Sequence, residues 1–347
     1  MNTILTSKNK INALVQLGLK LRNPDAELTN LIDSAKHFNA WFTPESTGKA
    51  IESIAAMLNE KDLQKWLSDS IDIEPEKANR IQSVGLVLAG NIPLVGFHDI
   101  LCVLATGKKA LIKLSSQDQK LIPYILNQLI SIEPAIADQV EYIDRLKNFD
   151  AVIATGSNNT ARYFEYYFKH VPHIIRKNRN SAAVIQGTEN ADQLAELGND
   201  IFDYFGLGCR NVSKLYVPKN YNFNYFFESI EKFKGIADHH KYINNYDYNK
   251  SIYLVNQDKH LDNGFLLLKE DTRLASPLAV LYYEEYDNLN DLKSNLNIIA
   301  GQIQCLVCSE NLDLGSNQVN FGQSQQPKLW DYADSINTLE FLKDLPN

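Results

Sequence analysis

From Ile81 onward the chain repeats one pattern, a short apolar run followed by a stretch with helical spacing. The runs are IQSVGLVLAG, KALIKL and FDAVIATG. Each is short and almost continuously apolar, as a strand buried on both faces must be. Between and after them, GFHDILCVLATG, SQDQKLIPYILNQLI and SNNTARYFEYYFKH read as helices, the first ending at Gly107 and the second beginning near Gln117. Parallel strands need a crossover, and a helix is the usual one. The alternation therefore predicts an α/β fold around a parallel sheet.

A second αβ region begins near Ser181. SAAVIQG reads as a strand, NADQLAELGNDIFDYFG as a helix, Lys214 to Val217 as a strand and NYFFESIEKF as a helix. The Asn-, Tyr- and His-rich stretch 238–250 reads as a loop, LAVLYYEE and QIQCLVC as strands, and QSQQPKLWDYADSINTLEFL as a docked loop and helix. Ahead of all this, residues 1 to about 70 read as helices. One of them is announced by Thr43-Pro44-Glu45, an N-cap followed by proline at the first helical position. The 347 residues suit about two domains. Boundaries are expected at 1–80, 81–180 and 181–347.

With 44% hydrophobic and 22% charged residues the chain can bury a large core unaided. A net charge of -8 opposes general nucleic-acid binding, which needs a basic surface. The start has no apolar signal region, and the longest apolar region, Ile92 to Ala105, is interrupted by His98-Asp99 and too short for a bilayer. Four cysteines are too few for a disulfide scaffold, so a cytoplasmic protein with no membrane span is expected. Cys305 and Cys308 form a CxxC in an apolar, β-like run with no second pair, which predicts buried strand residues and no metal site.

Four places can carry chemistry. Cys209 follows Gly206 and Gly208 in FGLGCRNVSKLYVP. The glycines leave room for a carbonyl beside the sulfur, and a thiolate attacks carbonyls well. A small buried thiol explains the same residue. Asn91, past a strand end, can donate its amide to an oxyanion or cap the next helix. Lys113 ends an apolar strand with Ser115 and Ser116 behind it. Gly156 and Ser157 form a strand–turn–helix passage whose free N–H groups suit a pyrophosphate. Neither GxGxxG nor GxxxxGK[ST] occurs.

Taken in order, strand–Asn–helix, strand–Lys, strand–Gly–Ser–helix and Gly–x–Cys resemble the aldehyde dehydrogenase superfamily. The closer resemblance is to LuxC-like acyl-CoA reductases, the reductase subunit of bacterial bioluminescence fatty acid reductase. GNIPLVGFHDILCVLATGKKALIKLSSQD, FGLGCRNVSKLYVP and FGQSQQPKLWDYAD carry it, over most of residues 81–347. The resemblance implies an aldehyde-dehydrogenase-like fold. A helical region over 1–80 packs on a nucleotide-binding α/β domain over 81–180. A catalytic α/β domain with a C-terminal tail spans 181–347, and the active site lies between the two domains.

It also implies roles. Cys209 is the nucleophile. Asn91, with the Cys209 backbone N–H, serves the oxyanion. Lys113 contacts the adenosine ribose, and Gly156 and Ser157 lie beside the pyrophosphate. NAD-preferring members often carry a glutamate three residues after the strand-end lysine. Here that position is Ser116, so NADPH is the expected cofactor. Oxidative members carry a glutamate base before the cysteine, whereas no Glu or Asp lies between Val171 and Thr188. The expected activity is NADPH-dependent reduction of an acyl thioester, on CoA or a protein, through an acyl-cysteine. The alternatives are a cysteine acyltransferase or thioesterase without redox chemistry, and a non-catalytic dinucleotide-binding scaffold. The chain is shorter than typical members and no oligomerisation arm is placed, so a homo-oligomer stays open.

Overall fold

The computed structural model describes residues 6–68, 82–313 and 317–345. The expected boundary at 80/81 lies outside the described residues. Two compact units emerge, residues 1–178 with 327–347, and residues 179–326.

The first unit opens with α1 (Ser7–Arg22), α2 (Ala26–Ser34), α3 (Pro44–Met57) and α4 (Glu60–Ser68). In α1, Leu14, Leu17 and Leu21 are buried on one stripe. The Thr43 hydroxyl accepts the Ser46 N–H at 3.1 Å and Pro44 takes the first position of α3, as the sequence predicts. Then come β1 (Ser83–Val87), α5 (Phe97–Ala105), β2 (Lys109–Lys113), α6 (Leu121–Ile132), β3 (Val140–Tyr142), β4 (Ala151–Thr155), α7 (Asn158–Phe168) and β5 (His173–Arg176). The five strands lie in the order β3-β2-β1-β4-β5, all parallel. Val84, Leu86, Ala110, Ile112 and Val152 are fully buried, which is why these strands read as apolar runs. The chain steps outward from β1 to β2 and β3, then returns to β4 on the other side. The switch point falls between β1 and β4, and open α/β sheets bind ligands outside the carboxyl ends of the strands there.

The second unit contains β6 (Asn180–Val184), α8 (Ala191–Phe202), β7 (Val212–Pro218), α9 (Phe223–Ser229), α10 (His240–Asn256), β8 (Leu261–Asp262), β9 (Leu267–Glu270), β10 (Val280–Tyr286), α11 (Leu289–Ile299), β11 (Ile303–Cys308) and β12 (Gln318–Asn320). Its sheet runs β12-β11-β6-β7-β10-β9-β8, parallel except for the antiparallel β8–β9 pair. One face packs on Leu194, Leu197 and Ile201 of α8, and the other on Leu292 and Leu296 of α11.

Three expectations need correction. Residues 238–250 are not a loop, since α10 covers His240–Asn256. Tyr242, Tyr246, Asn249 and Tyr253 are buried along it at helical spacing. The Tyr242 hydroxyl donates to the Phe265 carbonyl at 3.0 Å and the Asn249 amide to that of Leu278 at 2.9 Å. The helix expected from Gln117 begins at Leu121 instead. Ser115 and Asp118 form an isolated bridge, and Asp118 accepts the Leu121 N–H at 3.2 Å. The tail, grouped in the sequence with 181–347, packs with the first unit and ends in α12 (Thr338–Lys343). Trp66 donates its ring N–H to the Tyr332 hydroxyl at 2.9 Å, and His98 Nε2 donates to the Leu329 carbonyl at 2.9 Å.

Candidate active site

In the first unit five candidate residues share one sheet edge. β2, β1 and β4 are neighbours; Lys113 ends β2 with Ser116 beyond it, and Asn91 and the Gly156-Ser157 pair follow the carboxyl ends of β1 and β4. The loop after β1 touches the loop after β2. A Cβ on Gly90 would lie 2.5 Å from the Ser115 hydroxyl oxygen, so only glycine fits. Asp118 ties the same two loops, accepting the Leu94 N–H at 3.0 Å as well as that of Leu121. Leu94 sits at φ 61°, a left-handed conformation uncommon outside glycine. Burial raises the pKa of Asp118, and the two N–H groups work against that rise.

Asn91 is exposed on this edge. It does not cap α5, whose N-cap is Gly96. Lys113 is exposed at the end of β2, and Ser116 is exposed in the Ser115–Asp118 turn. Ser157 is the N-cap of α7, its hydroxyl accepting the Thr160 N–H at 3.3 Å. Gly156 lies against that first turn, where a Cβ would stand 3.0 Å from Phe164 and 3.1 Å from Thr160.

The segment Val171–Thr188, which lacks a carboxylate, supplies Arg176 to the first unit. Its Nε and Nη2 donate to Asp99 at 3.0 and 2.6 Å, Nη1 to the Ala333 carbonyl at 2.7 Å, and Nη2 also to Thr338 Oγ1 at 2.9 Å. Burial works against this cation, but the charges of Asp99 and Asp334 outweigh it and raise its pKa. The arginine thus locks the tail onto α5.

Cys209 lies in the second unit, on the turn between α8 and β7, and is the one exposed cysteine of four. The approach is unusual. Tyr204, Phe205 and Gly206 lie in succession at φ 52°, 59° and 79°. Such conformations persist only where their surroundings over-determine them. Phe205 packs against His239, with ring centroids 4.3 Å apart and planes tilted by 38°. Asn211, buried, accepts the Gly208 N–H at 2.8 Å and donates to the carbonyls of Asp200 at 3.1 Å and Asp203 at 2.8 Å. Ser181 on β6 donates to the Cys209 carbonyl at 3.0 Å, and its oxygen also lies 3.0 Å from Cys305 Sγ. The register of β6 shifts at this level against both β7 and β11.

Asp200 anchors the FGQS segment, accepting the N–H groups of Gly322 at 2.6 Å and Ser324 at 2.9 Å. Burial pushes its pKa up to about 6. Arg176, Ser181, Asp200 and Asn211 were not anticipated from sequence. The CxxC pair is as expected. Cys305 and Cys308 are buried in β11 on opposite faces of the sheet, each in a different core cluster. Burial raises the two thiols to about 11 and about 12. No group of metal-binding side chains occurs among the described residues.

One family model spans both the sheet edge and the Cys209 turn. Residues 28–225 match the acyl-CoA reductase (LuxC) family. The chain belongs to the LuxC acyl-CoA reductase family. That membership makes it an oxidoreductase of the aldehyde and acyl-thioester class. No curated protein matches the chain. Among solved structures, an indole-3-acetaldehyde dehydrogenase complexed with NAD+ superposes with a TM-score of 0.68 at 12% identity, over 96% of this chain and 82% of that one. The aldehyde dehydrogenase KauB from Pseudomonas aeruginosa gives 0.67 at 12% identity, over 97% and 83%. Aldehyde dehydrogenase 21 from Physcomitrella patens, in complex with succinate, gives 0.66 at 12% identity, over 98% and 85%. This LuxC-family chain therefore has the aldehyde dehydrogenase fold. Among the described residues no helix is long and apolar enough to cross a membrane.

Proposed function

We propose that this LuxC-family chain reduces an acyl thioester to the aldehyde, with Cys209 as the covalent nucleophile and NADPH as the reductant. One observation carries the reading. Three cysteines are buried, and the fourth stands exposed on a turn fixed by Asn211 and Ser181.

The Cys209 thiolate attacks the carbonyl carbon of the thioester, and a C–S bond forms. The Cys209 N–H would donate to the developing oxyanion, a role that the family resemblance also gives Asn91. The tetrahedral adduct collapses, the CoA or protein thiolate leaves, and an acyl-cysteine remains. The sheet edge suits a dinucleotide. Lys113 and Ser116, both exposed, would hold a ribose and its 2′-phosphate, and the Gly156-Ser157 turn at the head of α7 would hold a pyrophosphate. When bound there, NADPH supplies the hydride. Cys209 then acts as leaving group as the thiohemiacetal opens to aldehyde. No carboxylate between Val171 and Thr188 can activate water, which spares the acyl-cysteine from hydrolysis.

Intact-protein mass spectrometry tests this. A series of acyl-CoA thioesters without NADPH should load one acyl group on the wild type and none on Cys209→Ala. Adding NADPH should clear the adduct with release of aldehyde. An adduct that survives in Cys209→Ala rejects the nucleophile. Loading and discharge without NADPH consumption would indicate an acyltransferase or thioesterase, and NADPH binding without any loading a scaffold.

A further inference from the structure

Asn211 is three per cent exposed, a degree of burial that a primary amide tolerates only with its hydrogen bonds made. All of its side-chain bonds go to the backbone around Cys209. The Oδ1 atom accepts the Gly208 N–H, while Nδ2 holds the Asp200 and Asp203 carbonyls at the end of α8. Its own N–H donates to the Gly208 carbonyl at 3.1 Å. The side chain and the backbone of one residue thus close both sides of a four-residue turn with Cys209 inside it. The two carbonyls lie at the C-terminal end of α8, so the amide ties that end of the helix to the turn.

We propose that Asn211 is the positioning residue for Cys209, holding the thiol where an acyl carbonyl can be attacked. The inference rests on the reading of Cys209 as the nucleophile. Asn211 does not touch substrate in this scheme. It acts through the Gly208–Asn211 turn, and Ser181 gives the same turn a second, weaker hold at the Cys209 carbonyl. Left-handed Tyr204, Phe205 and Gly206 lie within the same span, so a released turn has ready routes to other conformations.

The experiment measures three quantities on wild type, Asn211→Ala and Ser181→Ala. These are the single-turnover rate of Cys209 acylation by an acyl-CoA, KM for that acyl-CoA, and the rate and number of thiols alkylated by iodoacetamide. A displaced nucleophile costs on the order of 100-fold for about 1 Å. Asn211→Ala should therefore lose about 100-fold in acylation rate with KM changed less than about 3-fold. One thiol should still react with iodoacetamide, because a small reagent does not need the turn's geometry. The three buried cysteines report unfolding, since a molecule that has lost its fold labels at all four. Should Asn211→Ala unfold by that measure, Ser181→Ala serves in its place, with an expected loss of about tenfold at one labelled thiol. Acylation per folded molecule within about 3-fold of wild type, in whichever variant folds, overturns the proposal. A wild type that no acyl-CoA loads fails differently, removing the nucleophile reading and this inference with it.

Discussion

Arg176 meets Asp99 through two parallel hydrogen bonds, at 3.0 and 2.6 Å, with both side chains nearly shut off from solvent. The same guanidinium holds Ala333 and Thr338 of the tail. Removing one partner of a buried pair strands the other charge, at a cost of roughly 3–5 kcal/mol. Asp99→Ala should destabilise the protein by about that much in urea unfolding and open residues 327–345 to limited proteolysis. The apolar double variant Asp99→Leu with Arg176→Met should recover only part of the loss, because Asp334 and the tail acceptors then lose the guanidinium. A change under about 1 kcal/mol in Asp99→Ala would mean that the pair behaves like a surface one.

Asp200 gives a pH signature. Burial pushes its pKa up to about 6, while an unfolded aspartate titrates near 3.9. Between those values the folded state holds a proton that the unfolded state has lost, so stability falls as pH rises. The contribution is fully present below about pH 3.9 and is lost as pH passes about 6, a change on the order of 3 kcal/mol. Urea unfolding followed from pH 4.5 to 7.5 should show this fall in the wild type and a flatter profile in Asp200→Asn. Parallel profiles would refute the assignment.

What was legible in the sequence follows from where the determining partners lie. Strands buried on both faces write their state locally, so β1, β2 and β4 could be read from runs of Val, Ile and Leu. The turn positions of Asn91 and Ser157 could be read because each follows a glycine past a strand end, and that of Cys209 because Gly206 and Gly208 precede it ahead of β7. α10 could not be, because its core stripe is built from tyrosine, which favours strands, and asparagine, which favours turns. Arg176 finds Asp99 across 77 residues, Ser181 finds Cys305 across 124, and Asp200 finds Gly322 across 122. Pairings at that range leave no local periodicity. A charged residue in the strand HIIR, or a serine opening an apolar run, is the only trace they leave.

The cysteines allow a simple count. Cys209 is exposed and Cys102, Cys305 and Cys308 are buried. A disulfide reagent should therefore titrate one thiol in the native protein, none in native Cys209→Ala, and all four of the wild type in denaturant. Residues three apart on a strand point to opposite faces, so Cys305 and Cys308 should stay unlinked under mild oxidation of the native protein. A mass loss of two hydrogens mapping to that pair would contradict the β11 geometry.

On the proposed reading, cofactor preference turns on Ser116. It does not cap α6, because that helix begins at Leu121 and Asp118 takes the first-turn N–H. Its side chain is exposed, three residues beyond the equally exposed Lys113. Where NAD-preferring members of the superfamily place a glutamate, a carboxylate grips both ribose hydroxyls and repels a 2′-phosphate. The serine hydroxyl instead can donate to that phosphate, with the lysine charge nearby. A repulsion removed and a charged hydrogen bond gained are together worth about 1.5–3 kcal/mol. That is roughly tenfold to a hundredfold in affinity. Wild type should bind NADPH more tightly than NADH by that factor in fluorescence titration, and Ser116→Glu should lose or invert the preference. Lys113→Met should weaken NADPH more than NADH, since the ammonium serves the added phosphate charge. Raising the salt concentration should erode the NADPH advantage in the wild type, because charges this exposed are screened within about 10 Å at 0.1 M. Equal or tighter NADH binding to the wild type would assign cofactor choice to other residues.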